Sequence, residues 1–383
     1  MGLVVREMEA EAYRSLRRIR FPAERLTVFQ GANGVGKTNL YRALQLVQAA
    51  ASGTLARELA AEGGMPSVMW AGPRPARGAA RVRLAATLGP GDAVPGSGTF
   101  RYEVEIGMKA PVEAALPFEP RIKEERITFQ AGRRPVVLLA RRGPAVTATD
   151  PDGRRVNPEL DLMASETALS AVRDAARYPD LDLVRQTLLD WRFYHDLRTD
   201  PASPIRRPCL AVATPTLASD GADLAAVFAT LMYVREDTAD LDAAIEDGFP
   251  GARLELPLPE QFASFGVRFA DFPHRLFQAS ELSDGTLRYL ALMGALLGYR
   301  LPAFIALNEP EASLHPDLLP PLARLIVRAA QRTQVWLVTH SELLASALAE
   351  AGGVSPRIVV KREGATWIEG LRTGGYFPED EEG

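Results

Sequence analysis

An α/β fold with a mostly parallel sheet is predicted by three stretches of one design. Leu26–Phe29, Phe304–Leu307 and Val335–Val338 are short apolar runs, and each stops abruptly at polar or glycine residues. Runs apolar on both faces are strands buried from both sides, as in parallel sheets. Open α/β folds present their chemical groups at the C-terminal ends of such strands.

The elements follow in order. Strands are expected at Val4–Glu11, Arg20–Phe21 and Leu26–Gln30, then a glycine-rich stretch and a helix from Thr38 to about Ala50. Two alternating runs, Ala80–Thr87 and Phe100–Ile106, are separated by Gly-Pro and Gly-Ser-Gly turn chemistry and read as antiparallel strands. From Glu119 to Val156 the pattern stays strand-like and has a basic excess, carried by Arg121, Lys123, Arg126, Arg133, Arg134, Arg141, Arg142, Arg154 and Arg155. Its interspersed acids favour a solvated face over a DNA-binding one. Helical patterns cover Ala164–Tyr194 and Asp220–Glu246, with Trp191–His195 closing the first as packing residues. Short strands at Arg253–Leu258 and Phe265–Phe269 lead to an apolar helix opening near Leu287. A hairpin, Arg357–Arg362 with Thr366–Leu371, precedes an acidic tail, Glu379–Glu382, expected to be disordered. There is no internal repeat and no sustained heptad.

Composition narrows the function classes. The 383 residues are 47% hydrophobic and 24% charged, so the chain is globular, with two or three domains or one core carrying insertions. With 44 Lys and Arg against 48 Asp and Glu the net charge is −4, which gives no general attraction to nucleic acid. Cys209 is the one cysteine, which excludes a disulfide framework. His195, His274, His315 and His340 are too scattered for a Cys/His metal cluster. The N-terminus carries no apolar leader, and the most apolar run, Tyr289–Tyr299, falls short of the roughly 20 residues a membrane span needs. A cytoplasmic protein without membrane contact is expected.

Four motifs carry chemistry. Gly31-Ala-Asn-Gly-Val-Gly-Lys37-Thr38 matches G-x-x-x-x-G-K-[ST], with a strand before it and a helix after it. Glycines at 31, 34 and 36 let successive N–H groups turn inward on phosphate oxygens, and the helix N-terminus adds its dipole. Lys37 is expected on the β- and γ-phosphates, and the Thr38 hydroxyl on Mg²⁺. Leu282–Thr286 opens the apolar helix; Ser283 and Gly285 there form a second anion site at a helix N-terminus, although a plain N-cap fits the same residues. The strand Phe304–Leu307 ends at Asn308-Glu309-Pro310-Glu311, which makes Glu309 the candidate general base for an attacking water. The strand Val335–Val338 ends at Thr339-His340-Ser341, which places His340 to hydrogen-bond the γ-phosphate or the water.

Together the motifs resemble the ABC-type P-loop ATPases, and more closely their RecF/SMC-like branch, with the nearest whole-chain likeness to stand-alone "AAA family" ATPases. Gly31–Asn39, with Asn33 and the trailing Asn39, is similar to the family's phosphate loop. Leu282–Thr286 resembles its signature peptide, Asn308–Pro316 its magnesium-site strand, and Thr339–Ser341 its switch histidine. Ala12–Leu16 is similar to the N-F-[RK]-S segment of this branch, which implies that Arg14 touches the nucleotide.

The resemblance implies a P-loop ABC-ATPase-like core with an antiparallel β subdomain and a largely helical insertion. Residues 1–120 and 264–383 are expected to form the core from both chain ends, and 121–263 the insertion, a basic β segment followed by a helical lobe. It also implies ATP and Mg²⁺ as ligands, with Thr38 and Asn308 at the metal. ATP is expected to be sandwiched in a homodimer, the phosphate loop of one subunit facing Ser283 and Gly285 of the other. DNA repair or maintenance, or defence against phage, is the implied use, with DNA as a candidate partner. Two departures stand out. Asn308 replaces the usual aspartate, which keeps an acceptor and loses a charge, so slow turnover or an ATP-gated switch is expected. No glutamine among Gln130, Gln186, Gln261 and Gln278 has the context of the family's Mg²⁺-bridging residue.

Overall fold

The computed structural model describes residues 2–73, 81–91, 97–108, 116, 118–195, 197–235, 238–372 and 374–377; the acidic tail Glu379–Glu382 lies outside them. The N-terminal elements are β1 (Leu3–Tyr13), β2 (Leu16–Pro22), β3 (Leu26–Gln30), α1 (Lys37–Ser52), α2 (Leu55–Ala61) and α3 (Met65–Val68). Strands β4 (Arg81–Pro90), β5 (Thr99–Gly107), β6 (Arg121–Gln130), β7 (Val136–Arg142), β8 (Ala145–Thr149) and β9 (Arg155–Val156) follow, then α4 (Ala168–Ala171), α5 (Pro179–Asp190) and β10 (Arg192–Tyr194). Next come β11 (Cys209–Leu210), α6 (Leu224–Ala229), α7 (Ala239–Gly248), β12 (Arg253–Glu255), β13 (Phe262–Ala263), β14 (Gly266–Arg268) and β15 (Phe277–Gln278). The last elements are α8 (Asp284–Leu297), β16 (Phe304–Asn308), α9 (Leu319–Ala330), β17 (Gln334–Thr339), α10 (Glu342–Gly352), β18 (Arg357–Arg362) and β19 (Ala365–Ile368).

The chain divides into two compact units. The first comprises Met1–Glu24, Gly31–Trp191 and Arg357–Gly383; the second comprises Arg25–Gln30 and Arg192–Pro356.

The first unit is built on an eight-stranded antiparallel sheet of order β2-β1-β4-β5-β6-β7-β8-β9. Period-two patterning sets its two faces. In β5, Phe100, Tyr102, Val104 and Ile106 are buried, while Arg101, Glu103 and Glu105 lie on the other face. That second face is covered by cross-strand ion pairs: Arg81–Glu105 at 2.7 Å, Arg83–Glu103 at 2.7 Å, and Arg101 with Glu7 and Glu9. Helix α1 packs its apolar side, including Leu40, Leu44 and Val47, against β1, β4 and α5. The expected boundary at 120/121 falls between β5 and β6, which pair along their length, so the basic segment continues the same sheet. Arg141 departs from the solvated-face reading. It is 2% exposed and donates to the carbonyls of Gly143, Met163 and Glu166. Its neighbour Glu125, also buried, accepts from the N–H groups of Ala168 and Leu169 and from the Tyr102 hydroxyl.

The second unit holds a parallel sheet in the order β10-β16-β17-β3. Its strands are buried on both faces, as the sequence pattern requires, and Trp336 lies against Phe29 and Phe304 at ring distances of 4.6 and 6.3 Å. Arg192–Tyr194 corrects the expectation that Trp191–His195 closes a helix. The backbone turns extended at Trp191, and Phe193 and Tyr194 pair with Ala306 and Leu307 of β16. Aromatic residues favour a half-covered pleated surface, and burial there outweighs the local helical pattern. Between Asp220 and Glu246 the helix is also interrupted. Thr230–Arg235 forms a π-helical turn, where the Thr230 hydroxyl bonds back to the Ala226 carbonyl and accepts from Thr214 N–H. Helix α8 is apolar on nearly every side and is a core helix. Among the described residues no helix is long and apolar enough to cross a membrane.

Candidate functional site

The phosphate-loop motif lies in the first unit, following β3 directly in the chain. Gly34 and Gly36 take φ of +80° and +98°, the left-handed region that favours glycine. Helix α1 begins at Lys37 with no side chain capping its first turn, and the Asn39 N–H turns back to the Gly36 carbonyl at 3.0 Å. The Lys37 ammonium is buried and donates to the carbonyls of Gly31 at 2.6 Å and Ala32 at 2.8 Å, which fixes a positive charge inside its own loop. Asn33, Gly34 and Thr38 are exposed along the loop. A glycine-turned loop at a helix N-terminus, a fixed ammonium and an exposed threonine suit a polyphosphate anion.

Two residues expected on the nucleotide are held by protein groups. The Asn39 amide donates to Ser15 Oγ at 2.6 Å. Arg14, at φ +47° in the β1–β2 turn, pairs with Glu62 at 2.7 Å. Glu62 also takes Arg42 and the Tyr13 hydroxyl; burial first, and then the Glu62 charge, push that phenol well above its usual range.

The strand-end motifs converge in the second unit. Glu309 follows β16 with φ +48°, which is rare for a residue bearing a side chain and is held there by its surroundings. Its N–H donates to the Val338 carbonyl at 2.8 Å, and its own carbonyl accepts from Arg288 of α8 at 3.3 Å. The carboxylate stays about one-third exposed, 3.8 Å from His340 Nδ1. Asn308 has a buried side-chain oxygen with no hydrogen-bond partner. An orphaned buried acceptor at a strand end suits the shell of a hard cation such as Mg²⁺. Among the described residues no cluster of three or more His, Cys, Asp or Glu is placed to hold a metal by itself.

The pattern reading missed Glu311. Its Oε1 accepts from the Thr339 hydroxyl at 2.6 Å, His340 N–H at 3.0 Å and Ser341 N–H at 3.3 Å. The sequence signal was a second carboxylate just beyond Pro310, read only as part of the motif.

Leu282–Thr286 opens α8 as predicted, and Ser283 Oγ takes the N-cap position, accepting from Thr286 N–H at 3.2 Å. A β-carbon on Gly285 would lie 2.7 Å from the Ser313 carbonyl, so this close approach requires glycine. Arg206 ties the peptide from behind. It donates to the carbonyls of Ser280 and Leu282 and pairs with Asp284 at 2.7 Å. No local pattern marks Arg206. Asn308, Glu309, His340, Ser283 and Gly285 thus share the second unit, whereas Arg14 and Gly31–Asn39 belong to the first.

Comparison with known proteins agrees with this architecture. A family model described as "AAA domain, putative AbiEii toxin, Type IV TA system" matches residues 240–346, the stretch carrying the signature-like peptide, Glu309 and His340. Comparison with curated protein sequences gives no match. Solved SMC heads share the fold. An Smc head with an extended coiled coil bound to the C-terminal domain of ScpA, from Pyrococcus furiosus, superposes with a TM-score of 0.55 at 12% identity, over 96% of either chain. An Smc head bound to the C-terminal winged-helix domain of ScpA gives 0.54 at 15% identity, over 95% of this chain and 97% of that one. An Smc head with a coiled coil and joint from Pyrococcus yayanosii gives 0.50 at 12% identity, over 97% and 98%. The fold is therefore that of Smc heads, consistent with the P-loop ABC-ATPase-like core that the motifs imply.

Proposed function

We propose that this chain, with an ATPase core drawn from both of its ends, is a cytoplasmic protein that binds and hydrolyses ATP and dimerises around it. The presentation of Glu309 carries the reading: a carboxylate on a buried strand end, held at positive φ by Val338 and Arg288, and still open to solvent.

Each residue then has a task. The N–H groups of Gly31–Lys37 and the Lys37 ammonium hold the β- and γ-phosphates. Thr38 offers a hydroxyl, and Asn308 a buried oxygen, as candidate ligands for Mg²⁺, which when bound offsets the phosphate charge. Glu309 orients the attacking water and accepts its proton at a carboxylate oxygen. His340 donates a hydrogen bond toward the γ-phosphate. Ser283 and Gly285 offer a second anion site on the same chain, which is best used by the nucleotide of a two-fold partner. Coupling to DNA repair or maintenance, or to phage defence, fits the architecture. Retention on DNA that requires ATP and weakens with salt would support the first.

A second reading, an ATP-gated switch with little hydrolysis, is favoured by Asn308, whose amide lacks the charge that holds Mg²⁺ firmly. Steady-state ATP turnover, with molecular mass measured in parallel, separates the two. For an ATPase, wild type turns over well above Lys37→Ala, and Glu309→Gln stops turnover while keeping ATP and the dimer. If wild type binds ATP and turns over no faster than Lys37→Ala, the switch stands and the hydrolase falls.

A further inference from the structure

We propose that Thr366, on the β18–β19 hairpin, is a positioning residue of the phosphate loop, acting through Val35 and Gly36. This rests on the reading of Gly31–Thr38 as the nucleotide site.

Four groups form one directed chain of hydrogen bonds, all within the first unit. The Thr366 hydroxyl donates to the Val35 carbonyl at 2.7 Å. A threonine hydroxyl has one hydrogen, so at the 2.6 Å contact with Ser15 Oγ the serine is the donor. Ser15 Oγ in turn accepts from the Asn39 amide at 2.6 Å. The Thr366 N–H donates to the Ser15 carbonyl at 2.8 Å, which locks the hairpin to the β1–β2 turn. The chain therefore runs from the first turn of α1, through the N-terminal turn and the hairpin, back to the loop's own backbone.

Steric fit points the same way. Thr366 is 1% exposed. A β-carbon on Gly36 would overlap both Thr366 Oγ1 and Ser15 Oγ, and one on Gly31 would lie 2.5 Å from the Val359 carbonyl of β18. Two of the three motif glycines are thus needed for contact with the hairpin as well as for phosphate. Gly34, with open space around it, is free of this demand. The hairpin can act as a fixed strut because its turn is tight. Glu363 and Gly364 both take positive φ between the paired residues Arg362 and Ala365.

The loop's N–H groups aim correctly only while the Val35 peptide is held, so removing the Thr366 hydroxyl should weaken nucleotide binding and spare the chemical step. The test measures the dissociation constant of a fluorescent ATP analogue with Mg²⁺, thermal unfolding, and turnover at saturating ATP. Thr366→Val is expected to bind about tenfold more weakly, with a folded-state transition close to wild type and turnover at saturation within about twofold. Thr366→Ser restores binding. Ser15→Ala weakens binding similarly, and the double variant is no worse than the Thr366→Val single, because both break one chain. If Thr366→Val fails to fold, the Ser15→Ala and Thr366→Ser results carry the same expectations. Wild-type affinity in Thr366→Val, or in Ser15→Ala where Thr366→Val is unfolded, overturns the proposal while leaving the nucleotide site standing. Equal binding by wild type and Lys37→Ala overturns both.

Discussion

The Glu311 carboxylate lies 3.3 Å from His340 Nδ1 and, through the same oxygen, accepts the backbone N–H of His340 at 3.0 Å. One buried acceptor therefore holds the main chain of the residue read as the phosphate sensor and lies beside its ring. The Thr339 hydroxyl on that oxygen extends the hold back into β17.

Glu311→Ala is expected to unfasten this turn. It leaves the Thr339 hydroxyl and the His340 N–H without their acceptor, at about 1–3 kcal/mol each. Chemical denaturation should show a loss of roughly 3 kcal/mol. Turnover should fall at least tenfold, because His340 loses its orientation. Unchanged turnover in a folded Glu311→Ala protein would refute the role.

Arg206→Met keeps the apolar stem and removes the donors to Ser280 and Leu282 and the pairing with Asp284. Since these groups brace the signature-like peptide and not the phosphate loop, ATP affinity of the monomer should hold while ATP-dependent dimerisation weakens several-fold. Sedimentation with and without ATP in the Glu309→Gln background reads this. Equal dimer formation would remove Arg206 from the account.

Gly36→Ala combines φ +98° with overlap of Thr366 and Ser15. The positive φ alone costs about 1 kcal/mol or more. ATP binding should be lost even if the protein folds. Gly34→Ala shares the positive φ but meets nothing within 4 Å, so it should be the milder of the two. The reverse order in binding and thermal assays would contradict the packing around the hairpin.

Glu125 sets a pH dependence. Burial raises its carboxyl above the usual range, against the pull of the Leu169 and Ala168 N–H groups, the Tyr102 hydroxyl and the Arg141 charge. A raised native value means the folded chain keeps a proton that the unfolded chain has released. Stability contributed by this group therefore falls as pH rises from the ordinary glutamate value, about 4.5, through the raised one, and levels off above it. Urea unfolding across this range should show wild type losing stability relative to Glu125→Gln as pH rises. A difference between the two that does not change with pH would show that Glu125 is not shifted.

Much of the second unit's sheet was legible because buried parallel strands advertise themselves. Leu26–Gln30 is a strand with the expected bounds, and Phe304–Asn308 and Gln334–Thr339 end where the motifs begin. What was not legible depends on distant partners. Arg192–Tyr194 reads locally as a helix end and becomes a strand because β16 offers a free edge. Arg141 reads as one of a surface pair, and its burial follows from two carbonyls of a distant segment, Met163 and Glu166, beside the local one of Gly143. Thr366 is an ordinary hairpin threonine until the fold brings Ser15 and Val35 to it. Glycines 31 and 36 were recognised, but for only one of the two reasons the structure gives them.

The tie between Val35 and Thr366 also has a consequence in time. A ribosome adding about 5–20 residues per second reaches Thr366 roughly 15–65 s after it passes Gly36. Throughout that interval the nascent chain carries an intact phosphate-loop sequence without the hydroxyl that anchors its backbone. On the proposed role of Thr366, full nucleotide affinity is then reached only once that residue is made, well after the loop's own motif.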